Sequence, residues 1–410
     1  MKHCITILLF LSCIQLQAQK RSLDFYITQA KQNSPLLTGY RNQIVANRLD
    51  SLLLLASLKP QVNFISNNNY APVINGWGYD EAVTNGANIS ALVQAQKNFI
   101  TPGYLAAQHR SISLQSRALL DTIKLSEQDL IRTIAEQYIT AYGDMLTMDY
   151  SKDIYDLLKK EEEALKKLTQ SSVYKQTDYL AFYVTMQQQE LTYLQAQIQY
   201  NADYLTLNYL AGIVDTTTGR LEEPVLSDSL PHDLYGSVFY QRYMTDSLRI
   251  ANEHLLIDYS YKPKIGIYAD AGYMSSLAYT PYKNVGFSVG LNVTVPIYDG
   301  RQKALKHRKL DMEERTRLAN KNFFLNQYQQ QTAMLYRQLN ATNTIVEKIK
   351  QQIDYTNTLI KADIKLLETG DIKLTDLIMA VNNYFNAQNL LRQNSVNKLR
   401  IINQINYWNR

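Results

Sequence analysis

Residues 286–301 read GFSVGLNVTVPIYDGR and carry the clearest structural signal in the sequence. Its first ten residues alternate strictly, with glycine or small polar side chains between large apolar ones. The large apolar members are Phe287, Val289, Leu291, Val293 and Val295. A period of two over about ten residues predicts a strand long enough to cross a membrane when tilted. Because membrane-barrel strands oppose an apolar face to a polar one, these five side chains are predicted to face lipid.

Three further segments also alternate, more weakly in the first half of the chain, and complete two strand pairs. The predicted strands span about residues 61–70, 86–97, 264–273 and 286–296. Four strands are too few to close a barrel, and an open sheet edge in lipid leaves backbone groups without hydrogen bonds. The sheet must therefore close by oligomerisation, with eight strands in a dimer or twelve in a trimer.

A very long helical segment follows each strand pair. From Arg301 to Leu367 no Pro or Gly interrupts the sequence, which is roughly 100 Å of helix. Positions seven residues apart from Leu318 to Leu367, together with a second set from Tyr328 to Ile349, form a sustained heptad pattern. Apolar residues from Ile131 to Tyr155 repeat the pattern in the first half. These heptads predict coiled coils.

The chain repeats itself with an offset of about 200 residues, which favours a tandem duplication. LTQSSVYKQTD (168–178) aligns with LLETGDIKLTD (366–376), and each is a polar turn before a new helix, with Thr177 and Thr375 as the predicted N-caps. The predicted organisation is a signal peptide (1–18), a first repeat (19–213, with a helical hairpin at 103–211), a linker (214–233) and a second repeat (234–410, with a hairpin at 301–408).

The N-terminus has the pattern of a secretory signal. Lys2 precedes an apolar run from Ile5 to Leu11, and Ala18 is a small residue at the cleavage position. Cleavage before Cys13, as in a lipoprotein, is the alternative. Cleavage after Ala18 would remove both cysteines of the chain, and the mature protein would then have no disulfide and no thiolate ligand.

The composition argues against an enzyme. The chain has 31 tyrosines but only 15 glycines and 9 prolines, so its elements should be few and long rather than those of a many-turned α/β enzyme. It lacks a phosphate-binding loop, a nucleophile elbow and an H-E-x-x-H motif, and its histidines are not at metal-ligand spacing. No catalytic residue, metal or cofactor is predicted. The thinly spread net charge of +5 does not indicate nucleic-acid binding.

The strand-to-helix junction carries a family resemblance. Its residues are Pro296, Tyr298, Asp299, Gly300 and Arg301. They resemble the Pro-hydrophobic-aromatic-Asp/Asn-Gly-(Gly)-Arg signature of the TolC family of outer-membrane efflux and secretion ducts. Residues 98–103 keep a degenerate version, and residues 22–35 resemble the opening helix of that family. The resemblance covers essentially the whole mature chain.

The resemblance implies a fold of the α+β class with an internal tandem repeat. Each chain would give four strands to a twelve-stranded membrane β-barrel in a homotrimer, continued by a long α-helical coiled-coil barrel. It implies an outer-membrane location with a large periplasmic part. The function implied is passive conduction, without catalysis, as the duct of a tripartite efflux or type I secretion system. The implied partners are a periplasmic adaptor, an inner-membrane pump and outer-membrane lipid.

The resemblance also implies a gate at the periplasmic tip, where acidic residues early in the inner helix form rings. Asp376 matches the first such position, whereas the second is Met379, which removes one ring of charge. Asp178 is the equivalent acid in the first repeat. The alternative for both aspartates is simple stabilisation of a helix N-terminus through the helix dipole.

Two further alternatives stay open from the sequence. Aromatic residues cluster at the loops between paired strands, where they would form a membrane-interface girdle or pack within the loops. They are Tyr70, Trp77, Tyr79, Tyr273, Tyr279 and Tyr282. The competing function for the whole chain is a periplasmic coiled-coil scaffold, in which the strands form a small soluble sheet.

Overall fold

The computed structural model of the chain describes residues 21–80, 83–84, 86–171, 175–226, 234–277, 280–369 and 374–409. In chain order the elements are α1 (Leu23–Asn33), α2 (Pro35–Ser57), β1 (Gln61–Ala71), β2 (Gly86–Phe99), α3 (Pro102–Gln170), α4 (Gln176–Leu210), α5 (Val238–Ser260), β3 (Lys264–Ser275), β4 (Val285–Thr294), α6 (Gln302–Thr369) and α7 (Leu374–Trp408). The predicted signal peptide, with Cys13, and the loop residue Tyr279 lie outside the described residues.

The four strands form one antiparallel sheet in the order β1-β2-β3-β4. This confirms the prediction of four strands per chain. The outer pairs are hairpins, whereas the β2–β3 pair joins the two halves of the sequence, with Ala95 opposite Ala269. Strand β4 ends at Thr294, so Val295 lies just beyond it. Pro296 follows and has no N–H with which to extend the ladder.

The long helices predicted from the heptads are present, with α3 spanning 69 residues and α6 spanning 68. The buried seam of α6 contains the predicted positions Tyr328, Leu335, Thr342 and Ile349. Leu335 and Leu339 pack against three isoleucines of α7, namely Ile401, Ile402 and Ile405. Helix α6 therefore packs against α7 through this apolar cluster.

Leu318, the first residue of the predicted heptad register, is 39% exposed. Its inclusion in the seam was wrong. In this turn of α6 the side chain of the preceding residue, Arg317, is largely buried instead. Its guanidinium donates hydrogen bonds to Glu314 and to the carbonyl oxygen of Tyr243. A straight α-helix drifts by about 20° per heptad against a seven-residue repeat, so the buried stripe moves off a strict register over this length.

The predicted N-caps were also wrong. Helix α4 begins at Gln176, and its N-cap is Lys175, which makes no side-chain capping hydrogen bond. Helix α7 begins at Leu374. Thr177 and Thr375 therefore lie inside their helices, whereas an N-cap residue must have a non-helical backbone.

By internal contacts the described chain divides into two units. The first consists of the residues up to Thr38, Ile123–Val238 and those from Phe324 onward, and it contains only helices and their connections. The second consists of Gly39–Thr122 and Phe239–Phe323, and it holds the whole sheet.

The core of the first unit is rich in tyrosine. Its largest fully buried side chains include Tyr26, Tyr138 and Tyr204. The Tyr138 hydroxyl lies 2.9 Å and 2.7 Å from the carbonyl oxygens of Arg21 and Glu222. The Tyr26 hydroxyl donates to the side-chain oxygen of Asn208 at 3.2 Å. Part of the high tyrosine content therefore fills the helical core, where a hydroxyl such as that of Tyr138 satisfies buried backbone groups.

The chain that follows α4 packs on this core. Leu221 is buried among the tyrosines, and the Arg21 guanidinium forms a 2.7 Å ion pair with Asp215. Hydrogen bonds from Thr217 and from Arg21 lower the pKa of Asp215 to about 2. The segment up to residue 226 is thus held by apolar contacts with the tyrosine-rich core and by the ion pair with Arg21, which precedes α1.

Candidate functional site

The sheet of the second unit presents one continuous apolar face. Residues opposite one another on antiparallel strands project to the same side of a sheet, so the pairing register assigns whole rows to a face. Four rows on this face are Phe64–Val93–Ala271–Phe287, Val62–Ala95–Ala269–Val289, Lys97–Ile267–Leu291 and Phe99–Ile265–Val293. We call this the apolar face; its large side chains are exposed in the single chain, with Phe287 at 84%.

The opposite side of the sheet is polar or small. Three of its rows are Asn63–Gln94–Asp270–Ser288, Gln61–Gln96–Tyr268–Gly290 and Asn98–Gly266–Asn292. A further row, Ile65–Leu92–Gly272–Gly286, adds two apolar side chains beside two glycines. The Ser288 hydroxyl donates to Asp270 at 2.9 Å. A β-carbon at position 290 would collide with the ring of Tyr268, so Gly290 makes room for that ring. We call this side the polar face.

The predicted lipid-facing residues of β4 all lie on the apolar face, except that Val295 follows the strand end. The single chain shows their exposure, and contact with lipid remains a proposal. The alternation predicted for the first half, which is weaker in sequence, continues the same two faces through β1 and β2.

The junction motif between β4 and α6 forms a helix start. The Asp299 carboxylate accepts a hydrogen bond from the backbone N–H of Lys303 at 2.7 Å. The Tyr261 hydroxyl and that N–H lower the pKa of Asp299. Gly300 and Arg301 both have positive φ, near 66° and 68°, which turns the chain sharply before Gln302 begins the helix. The motif therefore has a direct structural use, because it redirects the chain from strand to helix.

The predicted gate residues lie in the first turns of the second helix of each hairpin. Asp376 is exposed in the first turn of α7, and Met379 is exposed one turn later. Asp178 occupies the first turn of α4, and its side chain is outside the described part of the structure. These positions fit both alternatives, a ring at a gate and stabilisation of a helix start.

The loop aromatics do not pack within their loops. Tyr70, Trp77, Tyr79 and Tyr282 are all exposed, with Trp77 at 85%. The alternative of loop packing is therefore wrong for these four residues. Tyr70 lies near the end of β1, and Trp77, Tyr79 and Tyr282 lie in the loops that connect the paired strands.

Two titratable pairs were missed from the sequence. In the second unit, Nδ1 of His254 lies 2.7 Å from Nδ1 of His307, and the two rings are stacked. Each outer ring nitrogen faces a carboxylate, Asp311 at 3.8 Å and Asp258 at 3.3 Å. The sequence carried a signal, since each histidine is followed four residues later by one of these aspartates, which places both on one helix face.

The second pair lies in the helical unit. Burial raises the pKa of Asp144 to about 7, and the adjoining Asp203 contributes further. Burial opposes ionisation of Asp203, but hydrogen bonds from Asp144, Gln137 and Gln199 outweigh it and lower the pKa of that carboxyl. Asp144 therefore holds the proton that the two carboxyl groups share.

Among the described residues, no three His, Cys, Asp or Glu side chains are grouped so that they could hold a metal ion. In the same part of the chain, no helix is both long enough and apolar enough to cross a membrane.

The chain was compared with protein families, curated sequences and solved structures. No protein-family model and no curated protein sequence matches it.

Solved structures do match over nearly the whole length. The outer membrane protein VceC of Vibrio cholerae has a TM-score of 0.74 at 14% identity, covering 94% of this chain and 96% of its own. The outer membrane channel CmeC of Campylobacter jejuni has a TM-score of 0.73 at 12% identity, covering 96% and 86% respectively. The MtrE outer membrane channel of Neisseria gonorrhoeae has a TM-score of 0.74 at 11% identity, covering 94% and 88%. The fold that the TolC resemblance implied is thus confirmed, and the chain has the fold of these outer-membrane channel proteins.

Proposed function

We propose that the protein is the outer-membrane channel of a tripartite efflux or type I secretion system. It conducts substrate passively from a periplasmic adaptor and an inner-membrane pump to the exterior, and it has no catalytic step of its own. The sheet would lie in the outer membrane, and the helices would form a large periplasmic part. The fold shared with outer-membrane channels supports this location.

The observation that carries the proposal is the two-faced sheet. An apolar face that runs through all four strands has no covering layer within the second unit, since its large side chains are exposed. Contact with lipid would remove this large apolar surface from water, as in the outward band of a membrane β-barrel. In a soluble protein the same surface would stay in unfavourable contact with water. The polar face opposite would then line a water-filled lumen.

The sheet edges support a trimer. In the described chain, β1 pairs only with β2, and β4 pairs only with β3, so both outer strands have one unpaired edge. In lipid, each unsatisfied backbone group costs several kcal/mol. Other copies of the same chain would supply the missing neighbours. Three copies give twelve strands, enough for a lumen, whereas an eight-stranded barrel is filled by its own side chains.

A helix surface in the first unit also supports assembly with neighbouring copies. Helix α4 carries an exposed apolar stripe with coiled-coil spacing. Its members are Leu180, Val184, Leu191, Leu194, Ile198 and Leu205. Helix α6 carries a second exposed stripe of its own, with Ile345, Tyr355 and Leu359. Packing of such stripes between subunits would continue the barrel as a helical tube.

The proposal is tested by purification in detergent, with particle mass and planar-bilayer conductance measured on the same sample. We expect a mass of three chains and discrete conductance steps. A protein that stays monomeric in buffer without detergent and forms no conducting particle would favour the periplasmic scaffold instead.

A further inference from the structure

The polar face of the sheet carries very little charge. Among its described strand residues, only Asp270 and Lys264 are charged, and the others are mostly amides, hydroxyls and glycines. Asp270 lies in the middle of β3, where it accepts the hydrogen bond from Ser288. Lys264 begins the same strand, roughly 20 Å away along it, at the end that adjoins the helices. At that end, the described strands therefore add only positive charge to this face.

A second lysine lies close to the first in the sequence. Lys262 is in the turn between α5 and β3, and its Nζ lies 4.5 Å from the ring centroid of Tyr259, in the last turn of α5. A β-carbon at Gly103, in the first turn of α3, would collide with that ring. The glycine therefore makes room for the tyrosine, and the tyrosine ring supports the ammonium group through a cation–π contact.

The two lysines have no acidic partner. Within the part of the chain that the structure describes, neither Lys262 nor Lys264 forms an ion pair with a carboxylate. Asp258, one turn before Lys262 in the sequence, pairs instead with Lys303 at 2.9 Å. The positive charge of the two ammonium groups is therefore not neutralised within the described chain.

Both lysines line one cleft of about 330 Å³ within the second unit. Tyr104 and Tyr259 give the cleft aromatic walls, and none of its lining residues is acidic. The last two rows of the polar face also line it, and these are Asn98–Gly266–Asn292 and Lys264–Thr294. Sites for small organic molecules begin at about 300 Å³, so the cleft has room for one such molecule.

An amide adds a hydrogen-bond donor to this lining. The Asn98 side-chain oxygen accepts a hydrogen bond from the Gln96 amide at 3.2 Å, and a β-carbon at Gly266 would crowd that oxygen. In the described chain, no acceptor takes the hydrogens of the Asn98 amide nitrogen. The cleft thus combines two cations, a free amide donor and aromatic walls. Such a lining suits an anion that has a planar apolar body.

We propose that this cleft binds a small organic anion with an aromatic body, such as an aromatic carboxylate or sulfonate. The ammonium groups of Lys262 and Lys264 would attract the anionic group, and the aromatic body would lie against Tyr104 and Tyr259. The inference rests on the proposed function, which makes the polar face the wall of a water-filled lumen. It goes further by naming a class of substrate that the channel would hold where its helical part meets the sheet.

Lys97 offers a matched control. It directly precedes Asn98 at the same end of the sheet, but the register places it on the apolar face, and it does not line the cleft. Its Nζ lies 5.7 Å from the ring centroid of Phe99, so it repeats the pairing of a lysine with an aromatic ring. If any lysine at this end attracted the anion, replacing Lys97 would have the same effect as replacing Lys264.

The experiment uses the full chain in phosphatidylcholine nanodiscs, with naphthalene-2-sulfonate as the probe. Equilibrium dialysis measures the bound probe, and empty nanodiscs give the amount that partitions into lipid. Opposite charges about 4 Å apart in water attract each other with a free energy equivalent to about a fivefold change in affinity. We therefore expect Lys264→Gln and Lys262→Gln each to weaken binding about fivefold, Lys264→Arg to keep it, and Lys97→Gln to leave it unchanged.

Three results would overturn the proposal: equal binding by the Lys264→Gln and wild-type proteins, an equal loss in Lys97→Gln, or competition by methanesulfonate as strong as that by naphthalene-2-carboxylate. Methanesulfonate carries the charge without the ring, so the last result would identify a simple anion site. Particle mass and conductance are recorded on the same preparations. A conducting particle that does not bind the probe refutes only this site, whereas a particle without conductance refutes the channel function.

Discussion

Nδ1 of His254, on α5, lies 2.7 Å from Nδ1 of His307, on α6. At this distance one nitrogen must carry a hydrogen and the other must accept it, so the two rings share a single proton. Asp311 faces the outer nitrogen of the first ring, and Asp258 faces that of the second and also pairs with Lys303 at 2.9 Å. The network ties together the helices that lead into and out of the β3–β4 hairpin.

The histidine pair predicts a strong energetic coupling. Replacing either ring leaves the other with an unsatisfied inner nitrogen, so the second replacement should cost less than the first. In a double-mutant cycle of His254→Ala and His307→Ala, we expect a coupling of about 1 kcal/mol in thermal or denaturant unfolding. Additive effects of the two replacements would show that the rings do not share a proton. His109→Ala, which removes a histidine outside the pair, serves as the control.

Asp144 predicts a pH dependence of the helical unit. Its pKa of about 7 lies above the ordinary 3.8, so between about pH 4 and pH 7 the folded chain holds a proton that the unfolded chain has lost. The free energy of unfolding should therefore fall as pH rises through that window. Asp144→Asn should remove this slope and stabilise the protein at pH 8 by on the order of 2 kcal/mol, after discounting for partial exposure.

Thermal melts from pH 4 to pH 8 measure this effect. Asp153→Asn is the matched control, because Asp153 is exposed on the same helix. An unchanged pH slope in Asp144→Asn would contradict a shared proton between Asp144 and Asp203.

The two faces of β4 predict opposite outcomes for neighbouring substitutions. Val289 lies near the middle of the strand on the apolar face, and Ser288 lies on the polar face beside Asp270. Arginine on a lipid-facing strand costs about 2–4 kcal/mol at the bilayer midplane. Val289→Arg should thus reduce the amount of the proposed trimer recovered from membranes, whereas Ser288→Arg can pair with Asp270 and should assemble normally. Equal yields of the two variants would exclude lipid contact on this side.

The gate proposal predicts changes in ion block. If Asp376 forms a ring in the assembled trimer, Asp376→Ala should weaken the block of conductance by divalent cations. Met379→Asp would add a second ring one turn away and should strengthen that block. Single-channel recording measures both, with the exposed Asp156→Ala as the control. A normal block in Asp376→Ala would leave this residue only its stabilising effect at the helix start.

Much of the fold follows from local patterns. Strand β4 was predictable because every large apolar residue from Phe287 to Val293 lies on the same face of the sheet. In a strand this gives the sequence a period of two. The α6 seam was predictable from Tyr328 to Ile349 for the same reason, with a period of 3.5. The prediction of the seam failed at Leu318, because the neighbouring Arg317 is buried there and is bound by Glu314 and by a backbone carbonyl oxygen. Heptad position alone does not encode such a polar contact.

The candidate sites were harder to predict because they join residues that are distant in sequence. In the sequence, Lys97 is an ordinary polar residue near the end of a strand whose alternation is weak. Only its pairing register with Ile267 and Leu291 assigns it to the apolar face. Asp144 and Asp203 lie on different helices, and the geometry of helix packing decides that they adjoin. A one-residue slip in either case would separate the groups, and no local propensity measures such a slip.

The central β2–β3 ladder has a consequence for how the protein is made. The hairpins β1–β2 and β3–β4 are local and can close early, but Ile89 meets Ser275 only after α3, α4 and α5 have been placed between them. Closing so long a loop is slow, because its entropy is lost before the ladder forms. The two hairpins should therefore form separately before they pair with each other. The complete apolar face, which needs both hairpins, would then form only after the helices have packed.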